Sequence, residues 1–529
     1  MTHGNDPETE PEADQTAVIA FLADPATHAG THLSNETVDR FDTHGNLVFL
    51  AGCDAWKIKR AVRFPYMDFS TLEKRREACA REVAINRRLA PGIYLGCVPI
   101  TRSSDGKLAI GGDGEAVEWA VHMRRFDQAD LLVNIAAAGG VPSDLARAVA
   151  DTVLESHRGA EIVTTAAGAE QMRQLTASLS KAFARLEVFE TRDVERFTRD
   201  CKAQLGRASA TLDERARRGC VRRCHGDLHL GNIVLWQGRP ALFDAVEFDD
   251  AIATVDTLYD LAFLLMDLDR HRQRPAANAV LNRYLWGAND EQELAGLLAM
   301  PLFLACRAGV RAMVTAERAA QEHPQPERAA ADRELARAYL RAALGYLAPP
   351  PPRLLAVAGL SGTGKTTLAA RIAPQLGSAP GAVHLRSDLE RKSLFGVGET
   401  ERLPSNTYTV ETSDRVYGIL RRKAGLALAA GHAVIIDAVS AGPHERSDIE
   451  TMARDLKVPF RGLWLTAAPE DLTARVDARR NDASDATSEV VRRQLAWQVG
   501  ELSEAWIPIN AGGSPDDVLR LAEAALAAW

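Results

Sequence analysis

The chain has no CxxC pair, no unbroken apolar run of membrane-spanning length and little net charge. Its seven cysteines are scattered singly, and Cys220 and Cys224 lack a matching second pair, so no zinc site is expected. That usage suits a reducing cytoplasm. The start Met1-Thr2-His3-Gly4 is not a basic segment followed by an apolar one, so no signal peptide is expected. No membrane segment is expected either. A net charge of −8 argues against a broad nucleic-acid surface, though it leaves room for a local basic groove. What is present is ordinary: 46% hydrophobic and 25% charged residues, as in a globular protein. At 529 residues the chain is too long for one core, so two or three domains are expected. Residues 1–15 read as a solvated acidic tail, because Asp6 to Asp14 holds five acids, two prolines and no base.

The stretch Cys224-His225-Gly226-Asp227-Leu228-His229-Leu230-Gly231-Asn232, followed by Ala241-Leu242-Phe243-Asp244, carries the first chemistry. Phosphoryl transfer needs a base to orient a hydroxyl and hard oxygen ligands for Mg²⁺. Asp227 sits where the base would be. Asn232 and Asp244 sit where the metal would need oxygens. The order Asp-x-x-x-x-Asn, then an apolar run ending in Asp, matches the catalytic core of eukaryotic-type kinases. A lone HGD would read as a polar turn, with Asp244 a strand-end cap. The asparagine and the second aspartate together favour chemistry.

His225-Gly226-Asp227-x-His229-x-x-Asn232 with Phe243-Asp244-x-x-Glu247 resembles the aminoglycoside phosphotransferase and choline kinase group. The resemblance implies an α+β bilobal protein-kinase-like fold and phosphorylation of small-molecule hydroxyls. It implies that Asp227 is the base and that Asn232 and Asp244 hold metal. The run Val38 to Phe126 looks like a bacterial branch of that group, which commonly carries an ATPase-like partner domain on the same chain. Asp256 to Leu264 resembles the helix that follows the metal aspartate in the group.

Upstream, Glu36 to Phe41 and Asn46 to Leu50 flank the turn Asp42-Thr43-His44-Gly45. In a kinase N-lobe this hairpin would cover the phosphates, although G-x-G-x-x-G is missing from it. A third strand over Asp54 to Val62 alternates in period two and puts Lys57 and Lys59 on one face. Lys57 is the candidate phosphate lysine, and the choice between it and Lys59 stays open. Alternatively, this is a lysine-rich edge strand. Ser70-Thr71-Leu72-Glu73 reads as a capping box opening a helix toward Leu89. Glu77 and Glu82 on it are candidate partners for the lysine, with Glu82 favoured by its apolar flanks.

Pro349-Pro350-Pro351-Pro352 marks the boundary, taken as a proline linker over 348–352 between domains at 16–347 and 353–529. Leu354 to Ala358 is a buried strand leading into Gly359-Leu360-Ser361-Gly362-Thr363-Gly364-Lys365-Thr366-Thr367. This is G-x-x-x-x-G-K-[ST] in a strand–loop–helix context, the loop of an α/β P-loop NTPase domain with a parallel sheet. Gly359, Ser361, Gly362, Thr363, Gly364 and Thr367 would wrap phosphates with backbone N–H groups at a helix N-terminus. Lys365 would neutralise them and Thr366 would touch Mg²⁺. Asp388 ends a second strand, with Arg391 three residues on; an aspartate there can take a hydroxyl proton and the arginine can hold an anion. Alternatively, Ser387 or Asp388 only caps a helix. Asp437 ends the strand from Ala433 and suits the second metal ligand. Arg475, Arg479 and Arg480 precede Asn481, and this stretch resembles the arginine-bearing lid of gluconate kinases, zeta toxins and polynucleotide 5′-kinases. From Arg353 onward 21 basic face 22 acidic side chains, a poor balance for general nucleic-acid binding.

The expectation is a fused double phosphotransferase that uses ATP or GTP with Mg²⁺ on a small-molecule hydroxyl acceptor, such as a sugar, amino sugar or nucleoside derivative. Two alternatives stay open. The P-loop domain could phosphorylate a polynucleotide 5′ end, or one nucleotide site could be regulatory in a nucleotide-gated switch. The oligomeric state is left open.

Overall fold

The computed structural model describes residues 14–28, 37–43, 45–64, 67–164, 168–320, 326–479, 482–527 and 529. Most of the expected acidic tail, His44 of the expected turn, and Arg480 and Asn481 lie outside the described residues. The chain falls into two compact units. One takes residues up to Gly140, Ser156–Glu161 and Arg222–Val255; the other takes Val141–Glu155, Ile162–Val221 and Asp256–Trp529.

In the first unit, β1 (Asp39–Asp42), β2 (Asn46–Ala51), β3 (Asp54–Lys59), β4 (Tyr94–Arg102), β5 (Leu108–Ile110) and β6 (Glu115–Arg124) make one sheet. Its order is β1-β2-β3-β6-β4-β5, antiparallel throughout. Every residue of β3 is buried. Period two explains how a strand with two lysines manages this. Trp56 and Ile58 join Val18, Leu22, Leu47 and Phe49 on one face. On the other, Ala55 packs with Cys79 and Val83 of the helix Leu72–Leu89, and this is the face that Lys57 and Lys59 share.

That helix starts one residue later than the sequence suggests. Thr71 is the N-cap, and its hydroxyl accepts the Lys74 amide. The expected Ser70–Glu73 capping box is therefore not formed, and Glu73 pairs with Arg76 instead. A second hairpin, β7 (Ile233–Trp236) and β8 (Arg239–Leu242), turns through Gln237 and Gly238 at φ +52° and +77°. Positive φ at both central residues is the turn whose twist matches the strands. The register pairs Ile233 with Leu242, which returns Phe243 and Asp244 beside Asn232.

In the second unit, β9 (Leu354–Gly359), β10 (Val383–Arg386), β11 (Val434–Asp437), β12 (Phe460–Thr466) and β13 (Trp506–Asn510) form a parallel sheet. Its order is β10-β11-β9-β12-β13. Apolar runs such as Leu354 to Ala358 suit strands buried on both faces. β10 is an edge strand, and the helix Arg274–Ala288 covers it. Asn278 donates to the Ala382 carbonyl at 3.0 Å, and Asn282 accepts the His384 amide at 2.7 Å. Side-chain amides thus occupy backbone groups that would otherwise be open to another strand.

In the segment Glu291–Ala320 one window reaches a mean hydropathy of 1.6, apolar enough to cross a membrane by length and composition alone, although no unbroken apolar run there is that long. Inside this unit, 67% of that window is buried, as in a core helix. The sequence hides it because Arg307 interrupts the run. Arg307 is itself buried, stacked 3.9 Å over the Tyr259 ring.

His432 makes stability here depend on pH. It is buried, its Nε2 lies 3.2 Å from the Leu297 carbonyl, and its Nδ1 has no partner. Burial pulls its pKa from the ordinary 6.5 to about 4. Between those values the unfolded chain binds a proton that the folded chain refuses. Stability should therefore fall as pH drops through that window, by up to about 1.4 kcal/mol per pH unit from this group. Urea unfolding at pH 7.5, 6 and 5 checks this, and His432→Gln should flatten the slope.

Candidate active sites

The first candidate site lies wholly in the first unit. Lys57 Nζ donates to Glu82 Oε1 at 2.9 Å and to Asp244 Oδ1 at 2.5 Å. Lys59 Nζ donates to Glu82 Oε2 at 2.5 Å and also to Glu247. Both lysines therefore grip Glu82, and their second partners tell them apart: Lys57 reaches the candidate metal aspartate. Glu77 makes neither contact. Glu82 and Lys59 are fully buried.

Burial opposes the charge on Lys57, but Asp244 and Glu82 outweigh it and hold the amine well above its ordinary value. Burial likewise opposes charge on Glu82, and the two lysines reverse this, leaving it at about 2. Glu247 responds differently: burial raises its carboxyl against the pull of Lys59. Losing one member of such a cluster strands its partners in the interior. Glu82→Gln is expected to cost about 3–5 kcal/mol of folding stability, read by urea denaturation. A loss under 1 kcal/mol would mean the lysines find water instead.

Asp244 has φ +60°, a region few side chains occupy. Its amide donates to the Tyr94 hydroxyl at 3.1 Å, and the Ala245 amide donates to Asn86 Oδ1 at 2.8 Å. Asn86 lies one helical turn after Glu82, so a single helix face holds both the lysine partner and the backbone beyond Asp244. The Asn232 amide donates to Asp227 O at 2.9 Å and Oδ2 at 3.1 Å. Its carbonyl oxygen is the end left to act as an acceptor or ligand. His225 is buried, with Nε2 2.9 Å from the Phe243 carbonyl and Nδ1 accepting the Asp227 amide at 3.3 Å. It ties the base-bearing turn to the segment carrying Asp244. Gly226 has φ +84°, and a Cβ there would meet Ala253 and Val246 at 3.2 Å. The Asp227 side chain is 43% exposed, with His229 Nε2 3.3 Å away.

The second candidate site is a cavity of about 420 Å³ in the second unit. Ser361 to Thr367 wall one side. Asp388, Asp437, Arg475 and Arg479 also line it. Gly359 and Gly362 have φ +135° and +89°, and a Cβ on either would run into the carbonyls of Leu465 and Leu472. The loop therefore needs glycine for both conformation and closeness. Lys365 leads the helix Lys365–Ile372 and donates to the Leu360 carbonyl at 3.0 Å. Thr366 donates to Asp437 Oδ2 at 2.6 Å. Asp437 is buried, which favours the neutral acid, but His384, Arg386 and Lys365 hold it below its ordinary value. A charged carboxylate beside a hydroxyl in the second site, and the Asn232 amide oxygen with the Asp244 carboxylate in the first, are hard oxygen donors of the kind Mg²⁺ takes.

Arg391 does not line this cavity. It donates toward Ser413 and the Thr407 carbonyl and stacks 4.8 Å over Tyr408. Arg475 donates to the Ala511 carbonyl at 2.8 Å. Three neighbours escaped the sequence reading: His384, 3.3 Å from Asp437; Arg386, which pairs with Glu399; and Gln494, whose Oε1 takes the Ser361 amide at 2.8 Å. His384 and Arg386 could have been found, since they lie on the strand that leads to Asp388. Gln494, 133 residues from Ser361, had no local signal.

Residues 66–297 match the phosphotransferase enzyme family, and residues 354–501 match an AAA domain. The chain is a phosphotransferase enzyme, with a kinase-like α+β region followed by a P-loop kinase domain. It is 32% identical over 476 residues to the uncharacterized proteins Rv2004c of Mycobacterium tuberculosis and Mb2027c of Mycobacterium bovis. The match spans 88% of this chain and 91% of each of theirs, and the chain belongs to the same family as these mycobacterial proteins. Among solved structures, it is similar to a GDP complex of an aminoglycoside 2′-phosphotransferase-IIIa mutant. That match has 13% identity and TM-score 0.40, and covers 63% of this chain and 100% of that one. It is also similar to a sugar kinase from Janibacter sp., at 22% identity and TM-score 0.27, covering 34% and 95%.

Proposed function

We propose that the protein is a double phosphotransferase, with a kinase-like domain over residues 16–347 and a P-loop kinase domain over 353–529. Each domain moves the γ-phosphoryl of ATP or GTP to a hydroxyl of a small metabolite. The observation that carries this reading is the meeting of Lys57 with Asp244, 187 residues away, while Lys57 is also held by Glu82. A base alone would fit many enzymes. A lysine paired with a helix glutamate and lying close to a candidate metal aspartate is the grouping that kinases use on a triphosphate.

In the first site Lys57 orients phosphate oxygens and Glu82 fixes Lys57. Asn232 and Asp244 would hold Mg²⁺, which when bound neutralises charge building on the phosphates. Asp227, exposed at the edge, orients the acceptor hydroxyl and takes its proton. In the second site the loop Gly359 to Thr367 cradles the phosphates and Lys365 faces the transferred group. Thr366 and Asp437 would hold the metal, Asp388 serves as base, and Arg475 and Arg479 clamp the charge. Arg391 holds an acceptor anion after release from Tyr408. Catalysis in both is positioning plus charge neutralisation. The scattered cysteines, none in a CxxC pair, suit a reducing compartment.

The test is ATP- and GTP-dependent phosphorylation of a metabolite extract by wild type, Asp227→Asn and Lys365→Ala, with a 5′-hydroxyl oligonucleotide run alongside. New phosphate esters on small metabolites are expected, each lost in one variant. Transfer to the oligonucleotide alone, or no transfer at all, would overturn the reading.

A further inference from the structure

Away from both candidate sites, the second unit contains another cavity of about 350 Å³. Its walls come from the ends of the helices Thr257–Arg270 and Pro326–Tyr346, the start of Arg274–Ala288, Pro349 and Pro350, and the turn Gly377 to Ala379. The polar side chains on it are Arg270, Arg274, Asp269, Tyr346 and Ser378. Three of them leave buried atoms without a hydrogen-bond partner: Arg270 Nε, Arg274 Nε and Ser378 Oγ. Ser378 is only 7% exposed. These three atoms lie beneath the cavity wall, so the groups left to meet something in the cavity are the terminal guanidinium nitrogens of the two arginines.

The charge balance says what that something is. The one carboxylate, Asp269, already accepts the Tyr346 hydroxyl at 2.6 Å. Two guanidinium groups remain against it. Arg270 rests over the Tyr339 ring at 5.2 Å, and Arg274 gives one nitrogen to the Gly377 carbonyl at 3.4 Å. Both side chains are thereby positioned at the cavity wall. Planar forks of this kind match the oxygens of a phosphate.

We propose that this cavity is an oxyanion site that takes a phosphate group, free or as the phosphate of a small phosphorylated metabolite. Arg270 and Arg274 provide the charge and the N–H donors, with Ser378 in the wall beside them. The ligand would touch both Arg274, at the start of the helix covering β10, and the turn that follows the P-loop helix. It is distinct from the phosphate-binding loop, whose residues line another cavity.

The experiment uses the full chain with both nucleotide sites saturated by a non-hydrolysable ATP analogue and Mg²⁺. Calorimetry is run with inorganic phosphate, with glycerol phosphate, and with chloride at matched ionic strength. Saturable phosphate uptake is expected, with none from chloride; stronger uptake of glycerol phosphate would identify an esterified ligand. Arg270→Gln and Arg274→Gln should each weaken uptake by about tenfold or more. Ser378→Asp puts a carboxylate beside the two arginines. It should abolish uptake while leaving the urea midpoint unchanged or raised, so the test survives if an arginine variant fails to fold. No uptake by wild type, or equal uptake by wild type and Ser378→Asp, would overturn the proposal.

Discussion

Asp227→Asn is expected to lower phosphoryl transfer at the first site by about 10²–10⁴-fold while leaving nucleotide affinity nearly unchanged. The substitution keeps the shape of the side chain. It removes the ability to take a proton and the charge that aims the acceptor hydroxyl, and the amide oxygen that remains can still accept from Asn232. The nucleotide contacts proposed here lie elsewhere, at Lys57, Glu82, Asn232 and Asp244. A mainly structural Asp227 would instead make itself felt in stability, because it accepts from the Asn232 amide at 3.1 Å. Its 43% exposed side chain makes that cost small. Steady-state transfer, calorimetric ATP binding and a urea midpoint separate the two roles. Transfer within threefold of wild type would remove Asp227 from the chemistry. Measuring in a Lys365→Ala background keeps the second site from masking the loss.

Local pattern carried much of this fold. Period-two alternation over Asp54 to Lys59 put both lysines on one face, and the structure has both on Glu82. What it could not supply was the second partner of each lysine. Asp244 and Glu247 reach β3 only because the hairpin Ile233–Leu242 folds back in a register fixed by its Gln237-Gly238 turn. The helix start slipped by one residue because Ser70 and Thr71 are both good caps. Only tertiary packing decides between them: Ser70 is drawn to Asp68, with its hydroxyl 2.6 Å from that carboxylate. The phosphate loop was legible because glycine spacing encodes conformation directly. Its neighbours were not. Gln494 meets Ser361 through the packing of a helix over a hundred residues away, and His384 meets Asp437 across two parallel strands. Arg391 was read from its spacing to Asp388, but its direction depends on the Tyr408 ring, which spacing does not reveal.

Lys365→Ala should abolish most transfer at the second site, by about 10²–10³-fold, and also weaken triphosphate binding there. This differs from the Asp227 case, because a lysine that faces phosphate acts on both the ground state and the transition state. The structure gives the reason for a large effect. Burial draws the Lys365 amine below its ordinary value, while Asp437 and Asp388 support its charge. A desolvated ammonium interacts more strongly with phosphate than one in water. Its Nζ is satisfied by the Leu360 carbonyl at 3.0 Å, a neutral partner that a phosphate oxygen can readily replace. Lys365→Arg should not rescue the loss: its planar fork is longer, and the Gly362 turn lies against the Leu472 carbonyl with no room to give. Calorimetry with an ATP analogue and product mapping on the extract check both halves. The first-site product should persist in Lys365→Ala at the wild-type rate. Unchanged triphosphate binding and second-site turnover in that variant would show that the loop does not hold the transferred group.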